Sequence, residues 1–196
     1  MSAMIQKGRV IQDPVVVRTL FNDPRLAFVW LAARVWLGYQ WIDAALHKIG
    51  SPGWTVTGDA LKGYWTGAVQ IPLEGRAPIS FDWYRAFIQF LLDSQAYVWF
   101  AKIVAYGELL VGIALILGAF TGVAAFFGAL MNWNFMMAGS ASTNPLLFVI
   151  ALGLVMAWKI AGYIGLDYFL LPLIGTPWGW ASKARHVKTV PERVKA

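Results

Sequence analysis

Cysteine is absent from this 196-residue chain, and histidine occurs only at His47 and His186. Without cysteine the chain cannot itself run thiol–disulfide exchange, ligate an iron–sulfur cluster or attach haem covalently. One histidine follows the first hydrophobic span and the other lies in the C-terminal segment, so no bis-histidine haem can sit between helices. A metal centre is equally short of ligands, since Asp43 and His47 at a four-residue spacing supply only two. Charge is scarce too: 13% of residues are charged, against roughly a quarter in an ordinary soluble domain.

What fills the space is apolar. Hydrophobic residues make up 59% of the chain, with 11 Trp and 7 Tyr. This composition predicts an all-α integral membrane protein with aromatic belts at both interfaces. The net charge of +6 does not point to nucleic acid, because the basic residues gather near the two ends and no nucleic-acid module is visible. The first 25 residues are polar and mixed in charge, without the short apolar core of a cleavable leader.

Four hydrophobic spans are expected, at about 26–46, 97–117, 123–138 and 145–166, each read as a transmembrane helix. The turn 118–122 joins the second to the third. Asn144 is a candidate cap for the fourth, and Pro145 suits its first turn because no helical donor is lost there. Lys7, Arg9, Arg18 and Arg25 precede the first span, and Lys183, Arg185, Lys188, Arg193 and Lys195 follow the fourth. Four spans put both tails on one side, and the basic excess makes that side cytoplasmic. The reading is therefore an N-terminal tail 1–25, a membrane domain 26–171 and a basic tail 172–196. Residues 47–96 form an outer loop far longer than helix connections usually are. Its aromatic content argues against disorder, and 81–92 reads as a short helix near the outer interface.

Three ionisable residues fall inside these spans: Arg34, Glu108 and Lys159. Charge within a membrane is costly and usually faces a bundle interior in pairs. Counted from the inner ends of their spans, all three lie at roughly 12–13 Å. Two readings are open. In one, Glu108 pairs with Arg34 or Lys159 in a site that handles protons or a polar ligand head. In the other, the pair only fixes helix register. Lys159 also has the reach to snorkel to the inner interface.

Asn132 and Asn134, in the third span, either tighten the bundle by interhelical hydrogen bonds or donate to a quinone-like carbonyl. Gly38, Trp41, Ala45 and Lys48 continue the Arg34 stripe of the first span. Trp41 is a candidate pocket wall and Lys48 an interfacial anchor. The small residues Ala101, Ala105, Gly112 and Gly118 on the second span suit close helix packing.

Several stretches carry a family likeness. They are Arg34…Leu37-Gly-Tyr-Gln-Trp41…Lys48; Gly107-Glu108…Gly112…Leu117-Gly118…Thr121-Gly122; Asn132-Trp-Asn-Phe135…Ala138-Gly139…Ser142-Thr-Asn-Pro145; and Trp158…Ala161-Gly-Tyr163…Gly165-Leu-Asp167…Pro172. In this ordered set, over about residues 25–175, the chain resembles the DoxX/DoxD family of small four-helix membrane proteins. The resemblance implies a membrane subunit linked to oxidoreductases, including thiosulfate:quinone oxidoreductase, in a bacterial or archaeal cytoplasmic membrane. Quinone is then the expected cofactor, and other membrane or peripheral oxidoreductase subunits are the expected partners, with self-association also open. Glu108 and Arg34 are the candidate catalytic pair, and Asn134, Trp41, Asn132 and Lys159 the candidate quinone contacts. Two alternatives stand beside this reading: a non-catalytic subunit docking a larger respiratory or photosynthetic complex, and a small-solute carrier.

Overall fold

Long apolar segments without internal proline give long helices, and the computed structural model, which describes residues 13–175, contains helices and no strand among them. Four helices pack around one core: α2 (Ala27–Ile49), α6 (Tyr97–Leu117), α7 (Thr121–Met137) and α8 (Asn144–Met156). Three short helices, α3 (Pro52–Thr55), α4 (Asp59–Ala68) and α5 (Asp82–Asp93), close one end, hereafter the cap end. At the other end, the tail end, lie α1 (Val15–Asn22), a 3-10 turn (Pro24–Leu26), α9 (Trp158–Ala161) and α10 (Asp167–Leu173). Most of the two basic tails, including Lys7, Arg9 and every basic residue after position 175, lies outside the described residues.

Neighbouring helices run antiparallel, and glycines set the register. Gly38 on α2 meets Gly112 on α6 so closely that a Cβ on Gly112 would lie 2.9 Å from the Gly38 carbonyl oxygen and 2.6 Å from Ile42. Such small-residue crossings bring backbones into van der Waals contact, which drives helix association where apolar burial cannot. Gly118 ends α6 in the left-handed region at φ +67°, the usual glycine C-cap, and the chain turns directly into α7.

The main core runs along the bundle axis through Leu37, Trp41, Leu115, Ala125, Ala151 and Leu154. A second core, built on Leu61, Trp65, Ile79, Tyr84, Ile88 and Leu91, holds the cap together and joins it to the bundle through Ala101 and Ala138. The 47–96 segment is therefore structured, and the expected 81–92 helix is α5.

Three local expectations change. The fourth span is not continuous to residue 166: α8 stops at Met156, Ala157 breaks it, and residues 162–166 turn back toward α6. Asn144 does not cap α8 through its side chain; its amide instead donates to the Ser140 carbonyl at 3.0 Å. The N-terminal segment before residue 25 includes the amphipathic α1, with Val15 and Val16 exposed.

Candidate functional site

The first four N–H and the last four C=O groups of a helix lack intrahelical partners, and at the tail end two buried charges serve them. Arg34 is 1% exposed. Its Nη1 donates to the carbonyls of Leu115 (2.8 Å) and Ile116 (3.4 Å), and its Nη2 to that of Ile164 (2.8 Å). The guanidinium thus sits at the negative end of the α6 dipole, where a cation is favoured, and its planar fork spans several acceptors. Gly118 leaves it room, since a Cβ there would overlap the guanidinium.

Asp167 does the converse. Fully buried, it accepts from the backbone N–H of Phe120 and, at 2.8 Å, of Thr121, neutralising the positive end of α7. The backbone N–H groups of Leu166 and Asp167 donate to the carbonyls of Leu117 and Gly118. One loop thereby completes the end of α6 and the start of α7. This need to fold back is why the fourth span cannot run straight on.

Glu108 belongs to another level. It is 1% exposed, and its Oε2 accepts from Lys48 Nζ at 2.7 Å. Lys48 leaves the cap end of α2, bends back along its own helix toward the Ala44 carbonyl, and lies 5.4 Å from the centre of the Trp54 ring. Neither Arg34 nor Lys159 is the partner of Glu108.

The expected common depth of Arg34, Glu108 and Lys159 also fails. Arg34 hydrogen-bonds the last turn of α6, whereas Glu108 lies seven residues before Leu115, roughly 10 Å nearer the cap. Arg34 lies nearer the end of the bundle than its distance from residue 25 implies, because α2 overhangs the end of α6. Lys159 is displaced by the break between α8 and α9. Lys159 is exposed, with its ammonium 5.9 Å from the Trp158 ring centre.

A third feature was not anticipated as a site. Between α6 and α7, beneath α4 and α5, lies a pocket of about 440 Å³, lined by Tyr64, Trp65, Tyr84, Ile88, Phe100, Val104, Gly107, Val111, Met131, Asn134 and Phe135, among others. It reaches the bundle surface, since the lining residues Ile103, Leu110 and Phe127 are each about half exposed or more. Its few polar atoms gather near the cap. Tyr84 Oη donates to the carbonyl or the Oδ1 of Asn134, each at 3.1 Å, and Tyr64 Oη donates to the Phe135 carbonyl at 3.3 Å. Asn134 Nδ2 gives one proton to the Leu130 carbonyl at 2.8 Å. An amide nitrogen carries two N–H donors, so one remains. Burial pushes the Tyr84 phenol up to about 12, with Tyr64 adding to the rise. Burial also raises Tyr64, partly offset by a hydrogen bond with Ser140. Both phenols are therefore protonated donors at neutral pH.

Of the six residues singled out from the sequence, only Asn134 lines this pocket. Trp41 and Asn132 are buried in the bundle axis, Arg34 and Glu108 occupy the two polar levels just described, and Lys159 is on the surface. Sequence reasoning missed Asp167 and the two tyrosines as site residues, and took Lys48 for an anchor. The available signal for Lys48 was its position on the Arg34 stripe, fourteen residues on. His47 and Asp43 form an exposed pair with 3.9 Å between Nδ1 and Oδ2, and no group of three or more metal-ligating side chains occurs among the described residues.

Comparison with protein-family models, with curated proteins and with solved structures finds no match to this chain.

Proposed function

We propose that this chain is a four-span membrane subunit of a quinone-linked oxidoreductase, and that the pocket between α6 and α7 holds the quinone. The observation that carries the proposal is the pocket itself. Its volume is within the 300–1,000 Å³ typical of small-molecule sites, its wall is apolar, and its few polar groups converge at one end.

Membrane placement rests on the distribution of charge. α6 alone among the described helices is both long and apolar enough to pass as a span by itself. In α2, the charges of Arg34 and Lys48 turn inward, onto α6 carbonyls and Glu108. That leaves Phe28, Val29, Trp36, Tyr39 and Leu46 outward, with Asp43 and His47 exposed toward the cap end. The outer faces of α7 and α8 carry Val123, Phe126, Phe127, Leu146, Val149 and Leu152. Apolar surface on this scale fits lipid rather than water. In this placement α2, α6, α7 and the α8–α9 pair cross the bilayer with both chain ends cytoplasmic. The exposed Phe81 just before α5, and Trp83, Phe87 and Phe90 on it, then lie in the outer interface.

The residues present suit a quinone with an isoprenoid tail. A carbonyl of the ring would take the spare Nδ2 proton of Asn134, with the Tyr84 hydroxyl beside it. The tail would follow Phe100, Val104, Gly107 and Met131 and leave between the exposed edges of α6 and α7. A bound quinone supplies the acceptor for two electrons and two protons. This chain orients the ring and excludes water with α4 and α5, and a partner subunit delivers the electrons. The likeness to the DoxX/DoxD family points the same way, toward a sulfur-compound donor such as thiosulfate.

The test is binding of a short-chain quinone to the purified chain, followed by quenching of tryptophan fluorescence. Trp65 lines the pocket. Saturable quenching that Asn134→Leu weakens about tenfold supports the proposal; quenching that does not saturate, or that the substitution leaves unchanged, refutes it.

A further inference from the structure

Residues four apart on a helix share one side of it. By that rule two short helices at the tail end each split into a docked side and a free apolar side. In α1, Val17 and Phe21 are half-buried. Phe21 packs on the main core with its ring 5.6 Å from that of Trp30, and Trp30 Nε1 donates to the Leu20 carbonyl at 2.8 Å. These contacts fix α1 to the bundle, yet Val16 and Leu20 stay exposed, Val16 at 75%. In α10, Asp167 and Leu171 are buried, while Phe169 and Leu173 on the opposite side are exposed, Leu173 at 81%.

The free sides join the outward surface of the bundle. The start of α10 is hydrogen-bonded to the turn between α6 and α7, where Leu117 and Phe120 are about half exposed. The charge at this end also has one sign. Arg18 and Lys159 are exposed, and neither has a carboxylate partner among the described residues. α1 packs on α9, the helix that carries Lys159. Of the nearby acids, Asp167 is buried on backbone N–H groups and Asp23 pairs with Arg25. The exposed Asp43, Asp59, Glu74, Asp82 and Asp93 all lie toward the cap.

We propose that α1 and α10 form a collar in the tail-side membrane interface that binds anionic phospholipid. Val16, Leu20, Phe169 and Leu173 enter the boundary between headgroups and acyl chains, as the apolar side of an interfacial helix does. Arg18 and Lys159 take the lipid phosphates. The collar rests on the four-span placement, and it does not depend on what occupies the α6–α7 pocket. Because the free apolar sides merge with the lipid-facing surface of the bundle, lipid fits them better than a soluble protein. Unpaired cations select the headgroup: each basic residue near an anionic surface is worth roughly a factor of five, whereas a zwitterionic headgroup brings its own ammonium to the same cations.

The chain has no cysteine, so Val16→Cys, Leu173→Cys and Val149→Cys each accept a single fluorescent label. Val149 is exposed on α8 and reports on the span itself. The full chain is reconstituted in phosphatidylcholine vesicles that carry an equal small fraction of either phosphatidylglycerol or phosphatidylcholine spin-labelled on an acyl chain. The expected result is that spin-labelled phosphatidylglycerol quenches the Val16→Cys and Leu173→Cys labels roughly threefold more than spin-labelled phosphatidylcholine. Adding Arg18→Gln and Lys159→Gln should cut that ratio to about half, while the Val149→Cys label is quenched by both lipids alike. Quenching of the two collar labels by aqueous iodide, with lipid quenching only Val149→Cys, overturns the collar and keeps the spans. Collar labels shielded from both iodide and lipid show a protein occupant and overturn it as well. Equal quenching by the two lipids, or a ratio unmoved by the paired substitution, overturns the anionic site. If lipid does not quench Val149→Cys either, the four-span placement fails and the collar with it.

Discussion

Lys48 Nζ lies 2.7 Å from Glu108 Oε2, and this ion pair ties the cap end of α2 to the middle of α6. Its carboxylate is 1% exposed and its ammonium side 20%, so solvent screens it little. Removing one partner leaves an uncompensated charge in the core, a loss of about 3–5 kcal/mol in comparable cases, whereas removing both with apolar groups of similar volume is often neutral. Lys48→Met should therefore lower the melting temperature of the detergent-solubilised chain steeply. The double variant Lys48→Met, Glu108→Met should recover most of the loss, and a thermal-melt double-mutant cycle measures the coupling.

Arg34 serves three carbonyls from two α6 positions and the 162–166 turn. Lysine has one ammonium where arginine has a fork, so Arg34→Lys should destabilise the tail end by about 1.5–3 kcal/mol, the range for hydrogen bonds to a charged group. Gly118→Ala should do comparable harm by a different route, since its φ is +67° and its Cβ would displace the same guanidinium. The two losses should not add, because they act on one cluster. Chemical denaturation of each single variant and of the double variant reads this directly.

Gly107 lines the pocket, and a Cβ there would meet nothing nearer than Met131 Sδ at 3.9 Å. Gly107→Leu should fill the cavity without backbone strain. It should abolish quinone binding while leaving the melting temperature equal or higher, by the gain in apolar burial and the loss of a helical glycine. Binding and thermal melts on one preparation separate the two effects.

Tyr84 has a pH signature. Burial holds its folded-state value at about 12, against about 10 for an unfolded tyrosine. Below pH 10 both states keep the proton and nothing changes. As pH rises from 10 to 12 the unfolded state releases its proton first, so the fold loses stability across that window. Tyrosinate absorbance at 295 nm should show a component delayed beyond pH 11 that Tyr84→Phe removes.

The all-helical class was legible because hydrophobic runs without internal proline leave few alternatives, and the bounds of α6 are those read from its hydropathy alone. The break at Ala157 was not legible, because no glycine or proline marks it. It arises from a tertiary demand, the docking of residues 164–167 onto the ends of α6 and α7. Arg34 and Glu108 were recognisable as buried charges, since a charge in an apolar run has few other options. Their partners were not, because partner choice depends on helix register, which Gly38 and Gly112 set by contact. Lys48 resembled an interfacial anchor because its position near the end of α2 says nothing about the direction of its side chain. The pocket was invisible for a related reason: Tyr64 and Tyr84 come from the cap, and only the packing of α4 and α5 over α7 brings their hydroxyls to Asn134 and Phe135.

The central claim is that the α6–α7 pocket holds a quinone, and the most direct measurement is mass spectrometry of the lipid-soluble material that accompanies the chain from native membranes in mild detergent. An isoprenoid quinone near one per chain is expected, reduced at least tenfold in Gly107→Leu with phospholipid unchanged. Phospholipid alone, or quinone carried equally by the wild-type chain and Gly107→Leu, would contradict it.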